Sequence, residues 1–242
     1  MEETLSGLPS TAVFADDICV TGKDKSTHLS NLKAVLQRLK ENGLRINWSK
    51  CKFFKDSVTY LGYKIDKFGL HTDDKKIEAI VAAPPPTNVS QLKSFMGLVN
   101  FYAKFCKNMS DILNPMYNLL KKNVKWNWDE KCMNAFIKIK KVLSSSPVLA
   151  HYDPNLPLIL AVDSSPYGLG AVLLQRGADG AERPVCCASR TLAPAERNYA
   201  QIDKEALAIV FGVTKHHQYL YGRHFILRSD HRALSYIFGK NR

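Results

Sequence analysis

The apolar and polar positions of this chain switch repeatedly between strand and helix periods. Over residues 11–21, Val13-Phe14 and Ile18-Cys19-Val20 read as two strands around a tight turn that carries Asp16 and Asp17. Leu29, Leu32, Leu36 and Leu39 then recur at helical spacing and predict one amphipathic helix, with Asp24 or Ser26 capping its start and Gly43 suiting its end. VTYLGYKIDKFGL predicts a β-hairpin turning on Asp66-Lys67-Phe68-Gly69. Ala82-Ala83-Pro84-Pro85-Pro86 is a breaker, and a domain boundary is placed there. The next section is helical. Leu92, Phe95, Met96, Val99 and Tyr102 make one apolar face, Ile112, Leu113, Met116, Leu119 and Leu120 a second, and Met133, Phe136, Ile137 and Leu143 a third, after a start signal at Asp129. A second boundary is placed near Ser144-Ser145-Ser146-Pro147. Beyond it, Leu158 to Asp163, Leu169 to Gln175 and Pro184 to Ala188 read as strands. A long helical run follows, from about Glu196 to Tyr221, then a strand from His224 to Ser229, and a short helix that begins at His231-Arg232-Ala233-Leu234. The expected domains are thus 1–82, 83–146 and 147–242.

Composition adds a location for charge. The chain has 242 residues and a formal net charge of +12. Residues 1–82 carry 13 Lys/Arg against 11 Asp/Glu, residues 83–146 carry 10 against 3, and residues 147–242 carry 11 against 8. Over half of the excess therefore lies in the helical section, which suggests a surface for a phosphate backbone. The plainer reading is a solvated, Lys-rich face. No apolar run is long enough for a transmembrane helix, and the N-terminus lacks the order of a signal peptide, so an intracellular, membrane-free protein is expected. The six cysteines form no C-x-x-C pair, which argues against zinc and for reduced thiols.

Two sets of acids could do chemistry. Asp16 and Asp17 are adjacent acids between apolar strands, where a divalent cation would relieve their repulsion. A plain surface turn is the alternative, since Asp is a common turn residue. A Walker B acid is a third reading, but no G-x-x-x-x-G-K-[ST] loop accompanies it. The second set is Asp163, which ends LILAVD, Glu205 in YAQIDKEALAIV, and Asp230, which ends FILRSD. Carboxylates at strand ends, joined by a helix Glu, suit two-metal cleavage of a phosphodiester. Each alone would more often be structural.

These stretches resemble a known family. FADD is similar to the Y/F-x-D-D signature of reverse transcriptases, and the run from Val13 to Phe53 resembles the palm of gypsy-class long-terminal-repeat retrotransposon Pol proteins. VTYLGYKIDKFGL resembles the hairpin that grips the primer, QLKSFMGLVNFYAKF and ILNPMYNLLKK the thumb and the connection after it. LILAVDSSPYGLGAVLLQ, YAQIDKEALAIV and LRSDHRAL resemble three blocks of the attached ribonuclease H. The resemblance runs in order from about residue 5 to residue 238.

The resemblance implies that Asp16 and Asp17 are catalytic ligands of Mg2+ or Mn2+ at a polymerase site. It implies the same role for Asp163, Glu205 and Asp230 at a ribonuclease H site that cuts RNA in RNA–DNA hybrids; the spacings of 42 and 25 residues fit the family and favour Glu205 over Glu196 and Asp203. Leu61, Gly62, Tyr63, Lys93 and Lys104 are the nucleic-acid-binding residues it suggests, with RNA–DNA hybrid and template-primer duplex as partners. The expected fold is mixed α/β and α+β: a partial palm, a helical thumb and connection, and an incomplete ribonuclease H-like domain with a mixed sheet.

The sequence also departs from the family. An upstream polymerase Asp and a fourth ribonuclease H acid are not found in it, and Ala15 stands where a larger residue is usual. The expectation is a Pol fragment with impaired activity, which would use deoxynucleotides only if an upstream palm completed it. The alternatives are a working segment of a longer polyprotein and a non-catalytic remnant that binds nucleic acid through the basic thumb. Oligomeric state is left open.

Overall fold

The first apolar runs do pair. In the computed structural model, which describes residues 1–231 and Leu234, β1 (Thr11–Phe14) lies antiparallel to β2 (Asp17–Val20), with Phe14 opposite Asp17. The turn is Ala15–Asp16, so only one acid sits on it; Asp17 already belongs to β2. Ala15 takes φ 50, in the left-handed region that residues with a Cβ enter rarely. α1 (Glu2–Leu5) and α2 (Lys25–Glu41) pack beside the hairpin. Asp24 caps α2 by accepting a hydrogen bond from Thr27 N at 2.7 Å.

The buried line of α2 is Asn31, Val35 and Leu39, which shares only Leu39 with the leucine stripe. Leu32 and Leu36 are half-buried and Leu29 is exposed. The offset follows from Asn31, whose amide donates to Thr21 O at 2.8 Å and turns that side of the helix toward the hairpin. β3 (Ser57–Tyr60) follows, and this first compact unit ends at Leu61.

The second unit starts at Gly62 rather than at the proline breaker. The reason is packing: β4 (Tyr63–Asp66) and β5 (Gly69–Thr72) form a hairpin around Lys67–Phe68, and its Tyr63 and Leu70 pack on the helical core. Leu70 also exchanges backbone hydrogen bonds with Leu149 at 2.8 and 2.9 Å. α3 (Asp74–Ala82) contributes Ile77 and Ile80 to the same core.

α4 (Val89–Phe101) buries Leu92, Phe95, Met96 and Val99, and Tyr102 just beyond it is buried too. α5 (Met109–Leu119) buries Leu113, Met116 and Leu119, while Ile112 and Leu120 are half-buried. α6 (Glu130–Ser144) buries Cys132, Ala135, Phe136, Ile139 and Leu143, but Ile137, expected inside, is 56% exposed. Its apolar face is completed by Cys132, Ala135 and Ile139 instead.

No division appears at Ser144–Pro147, because α5 packs on the sheet that follows. That sheet contains β6 (Leu158–Ser164), β7 (Gly168–Arg176), β8 (Glu182–Thr191) and β9 (Phe225–Arg228) in the order β8-β7-β6-β9. Only β6 and β9 run parallel, so the sheet is mixed as expected. The predicted long helix is broken. Glu196 is held by Arg190 at 2.7 and 2.9 Å and by Ala193 N at 2.7 Å, in a short 3-10 turn. α7 (Gln201–Lys215) and α8 (His217–Leu220) follow, joined at His216. The expected terminal helix falls mostly outside the described residues. All six cysteines are free thiols, three of them buried. Among the described residues no helix is long and apolar enough to cross a membrane.

Candidate functional site

Parallel pairing brings the C-terminal ends of β6 and β9 to one end of the sheet, the geometry that places strand-end residues side by side. Asp163 lies near the end of β6 and Asp230 just past β9. Glu205 comes from the first turns of α7, which lies across β6 and β7. That approach is close at Gly212, where a Cβ would meet Val162 Cγ1 at 2.9 Å. Each of the three acids offers an oxygen within 4.8 Å of the others.

The three differ in exposure. Asp230 is exposed, Asp163 half-buried and Glu205 only 2% exposed. Glu205 Oε1 accepts from Ser164 Oγ at 2.7 Å and from Gln201 Nε2 at 2.9 Å; the Gln201 amide also donates to Ser164 Oγ at 3.0 Å. Glu205 Oε2 is buried without a partner. Asp163 Oδ2 accepts from Asn108 Nδ2 at 2.8 Å. Clustered carboxylates repel one another strongly at partly buried distances. An all-oxygen donor set with one buried, unsatisfied oxygen matches what hard divalent cations coordinate.

A fourth carboxyl stands close by. Asp111 on α5 accepts from Ser165 Oγ at 2.5 Å. Burial pushes its pKa up, and the charge of Asp163 adds to the effect, while the Ser165 hydrogen bond opposes both. Asp111 is outside the three-acid group. Glu196 is tied up with Arg190, and Asp203 is exposed on α7; neither joins the group either.

Asp16 and Asp17 are both exposed. Tyr60 Oη donates to Asp17 O at 3.4 Å. Among the described residues no third metal-ligating side chain closes a group around this pair. The remaining candidates divide into packed and free. Leu61 and Gly62 both take positive φ, 48 and 77, at the unit boundary. Tyr63 stacks on Phe101 with ring centroids 4.8 Å apart and donates its hydroxyl to Phe101 O at 3.0 Å. Lys104 Nζ lies 3.6 Å from the Tyr63 ring centroid, and burial lowers its pKa. Lys93 is exposed on α4.

Sequence reasoning did not single out Asn108, Asp111, Ser164, Ser165 or Gln201. Gln201 carried a signal, since it precedes Glu205 by one helical turn on the same face. Ser164 is the neighbour of Asp163. Asn108 and Asp111 come from a distant segment and gave none.

Residues 1–65 match the family model of reverse transcriptase (RNA-dependent DNA polymerase), and residues 128–227 match that of the RNase H-like domain found in reverse transcriptase. The chain is 35% identical over 240 residues to the retrovirus-related Pol polyprotein from transposon 412 of Drosophila melanogaster, covering 98% of the chain and 19% of that relative. It is 37% identical to the corresponding polyprotein from transposon opus (94% and 24% covered), and 36% identical to the transposon Tf2-3 polyprotein of Schizosaccharomyces pombe (91% and 17%). The chain thus spans about a fifth of the length of the curated relatives it matches. Among solved structures, the foamy viral protease-reverse transcriptase in complex with RNA/DNA hybrid has a TM-score of 0.80 at 23% identity, covering 93% of this chain and 31% of that one. The same protein in complex with dsDNA gives 0.83 at 23%, covering 98% and 49%. At that identity the likeness shows the fold. With both family models matched in order, and Pol polyproteins aligned along nearly all of its length, the chain belongs to the reverse transcriptase/RNase H-like region of retrotransposon Pol polyproteins.

Proposed function

We propose that Asp163, Glu205 and Asp230 form a divalent-metal site that hydrolyses the RNA strand of RNA–DNA hybrids, in a Pol protein of the gypsy class. The observation that carries this reading is the convergence of the three carboxylates within 4.8 Å, with one oxygen of Glu205 buried and unpartnered. Bound Mg2+ or Mn2+ would supply an acidified water and neutralise charge on the scissile phosphate. The chain's own residues do the rest. Ser164 and Gln201 hold Glu205 from one side, and Asn108 holds Asp163 from another. Exposed Asp230 leaves the site open to a phosphodiester backbone. The helical section, with 10 basic residues against 3 acidic, supports binding of hybrid or template-primer duplex through phosphates, with little preference for sequence.

Asp16 and Asp17 are proposed to serve DNA synthesis, with deoxynucleotides as substrates, wherever a further acid joins the pair. The test of the main reading is cleavage of a labelled RNA–DNA hybrid with Mg2+ and with Mn2+, comparing the chain with Asp163→Asn. Cleavage abolished by the substitution is the expected result. Equal activity in both proteins would sink the site assignment. Hybrid bound at low salt but cut by neither would leave a binding module without chemistry.

A further inference from the structure

We infer that Asn108 is a positioning residue for Asp163, so that the helical section helps to build the metal site of the sheet. The inference rests on the reading of Asp163, Glu205 and Asp230 as metal ligands.

Asn108 stands at the N-cap of α5, where an Asn side chain ordinarily accepts a hydrogen bond from an N–H in the first turn. Here it makes no capping bond. Its amide instead donates to Asp163 Oδ2 at 2.8 Å, across 55 residues of sequence. Its own Oδ1 is left buried and unpartnered, and its backbone takes φ 52 in the left-handed region. Three local preferences are therefore given up at one residue, and the visible return is a fixed orientation for one carboxylate. Concentrated local cost of this kind marks functional positions more often than stable ones.

The opposing strand makes room for the contact. Gly170 is the cross-strand partner of Asp163, and a Cβ there would lie 2.0 Å from Asn108 Oδ1. Any side chain at 170 would expel Asn108 from its seat. Two further bonds hold the start of α5 in register: Ser110 N donates to Ser189 Oγ at 3.0 Å, and Ser165 Oγ donates to Asp111 at 2.5 Å. The segment that carries the amide is thus anchored to β8 and to the end of β6. A donor that pins one carboxylate oxygen leaves the other oriented for a cation, which is how outer partners tune a metal site.

The experiment is Mn2+ titration of the whole chain by electron paramagnetic resonance, with thermal unfolding as the check of folding. The variants are Asn108→Gly, which keeps the left-handed backbone, and Asn108→Ala. Each is made alone and together with Asp163→Asn. The expected result is Mn2+ affinity weakened on the order of tenfold in Asn108→Gly, with no further loss when Asn108→Gly is added to Asp163→Asn. Wild-type affinity in a folded Asn108 variant, or the same fold-loss in both backgrounds, overturns the positioning role and leaves the metal site standing. Unfolding of both Asn108 variants assigns the residue to the fold and also overturns it. No Mn2+ binding by the wild-type chain overturns the metal reading, and this inference with it.

Discussion

Glu205 is buried with one oxygen satisfied by Ser164 and Gln201 and the other by nothing. A buried acceptor without a partner destabilises a fold unless something else occupies it. Glu205→Gln keeps the shape and removes one of three clustered negative charges. Its melting temperature without metal is expected to equal or exceed that of the wild type. Mn2+ at about a hundred times its dissociation constant should stabilise the wild type by about 2.7 kcal/mol, and Glu205→Gln not at all; calorimetry with and without Mn2+ reads both. His216 is a second buried group, 1% exposed, whose Nε2 has no partner. Burial, with the Lys215 charge added, lowers its pKa to about 4. The unfolded chain takes up this proton near pH 6.5 and the folded chain does not. Stability is therefore full above pH 6.5 and falls as pH drops toward 4, by roughly 3 kcal/mol. Urea melts across that range should show the slope in the wild type and a shallower one in His216→Gln.

At the scale of elements, amphipathic spacing located helices better than it oriented them. The α4 stripe read from the sequence is the buried face, because nothing polar competes along it. On α2 the buried line runs through Asn31, whose bond to Thr21 O a hydrophobic count cannot see. On α6 the counted Ile137 faces solvent while Cys132 and Ala135, smaller and easily passed over, face the core. End signals were more dependable, since a cap is a contact between near neighbours: Asp24 and Asp129, read as start signals, accept from Thr27 N and Cys132 N, and α4 has a cap that was not read. Asn88 caps α4 by accepting from Gln91 N at 2.9 Å, and Gln91 Oε1 accepts from Thr87 N at 2.8 Å. Asn88→Ala is expected to lower stability by about 1 kcal/mol, read as a shift in denaturant midpoint at constant m-value.

At the scale of the whole molecule, the units follow contacts rather than breakers. Pro84–Pro86 interrupts the chain, yet α3 before it and α4 after it share one core. The helical section and the mixed sheet are likewise joined, through Asn108–Asp163, Ser110–Ser189 and Asp111–Ser165. Hydrogen exchange is expected to show the most protected amides of α4–α6 and of β6–β8 opening together, as one cooperative unit. The hairpin β1–β2 and α2, in the other unit, should open with a separate free energy. Independent opening of the sheet and the helices would contradict the shared unit.

The sequence alone located most of the strands and helices and singled out three acids at the ends or edges of apolar elements, while the mixed sheet was implied by the family resemblance. The located elements and the three acids rest on periodicity and on the chemistry of residue types, which are local and readable along a line. The tertiary structure decided which faces are buried, where the units divide, and that Asn108 reaches Asp163 past Gly170. These depend on close approach between segments far apart in sequence, where a missing Cβ or one amide decides the contact, and no local pattern encodes the distance between them.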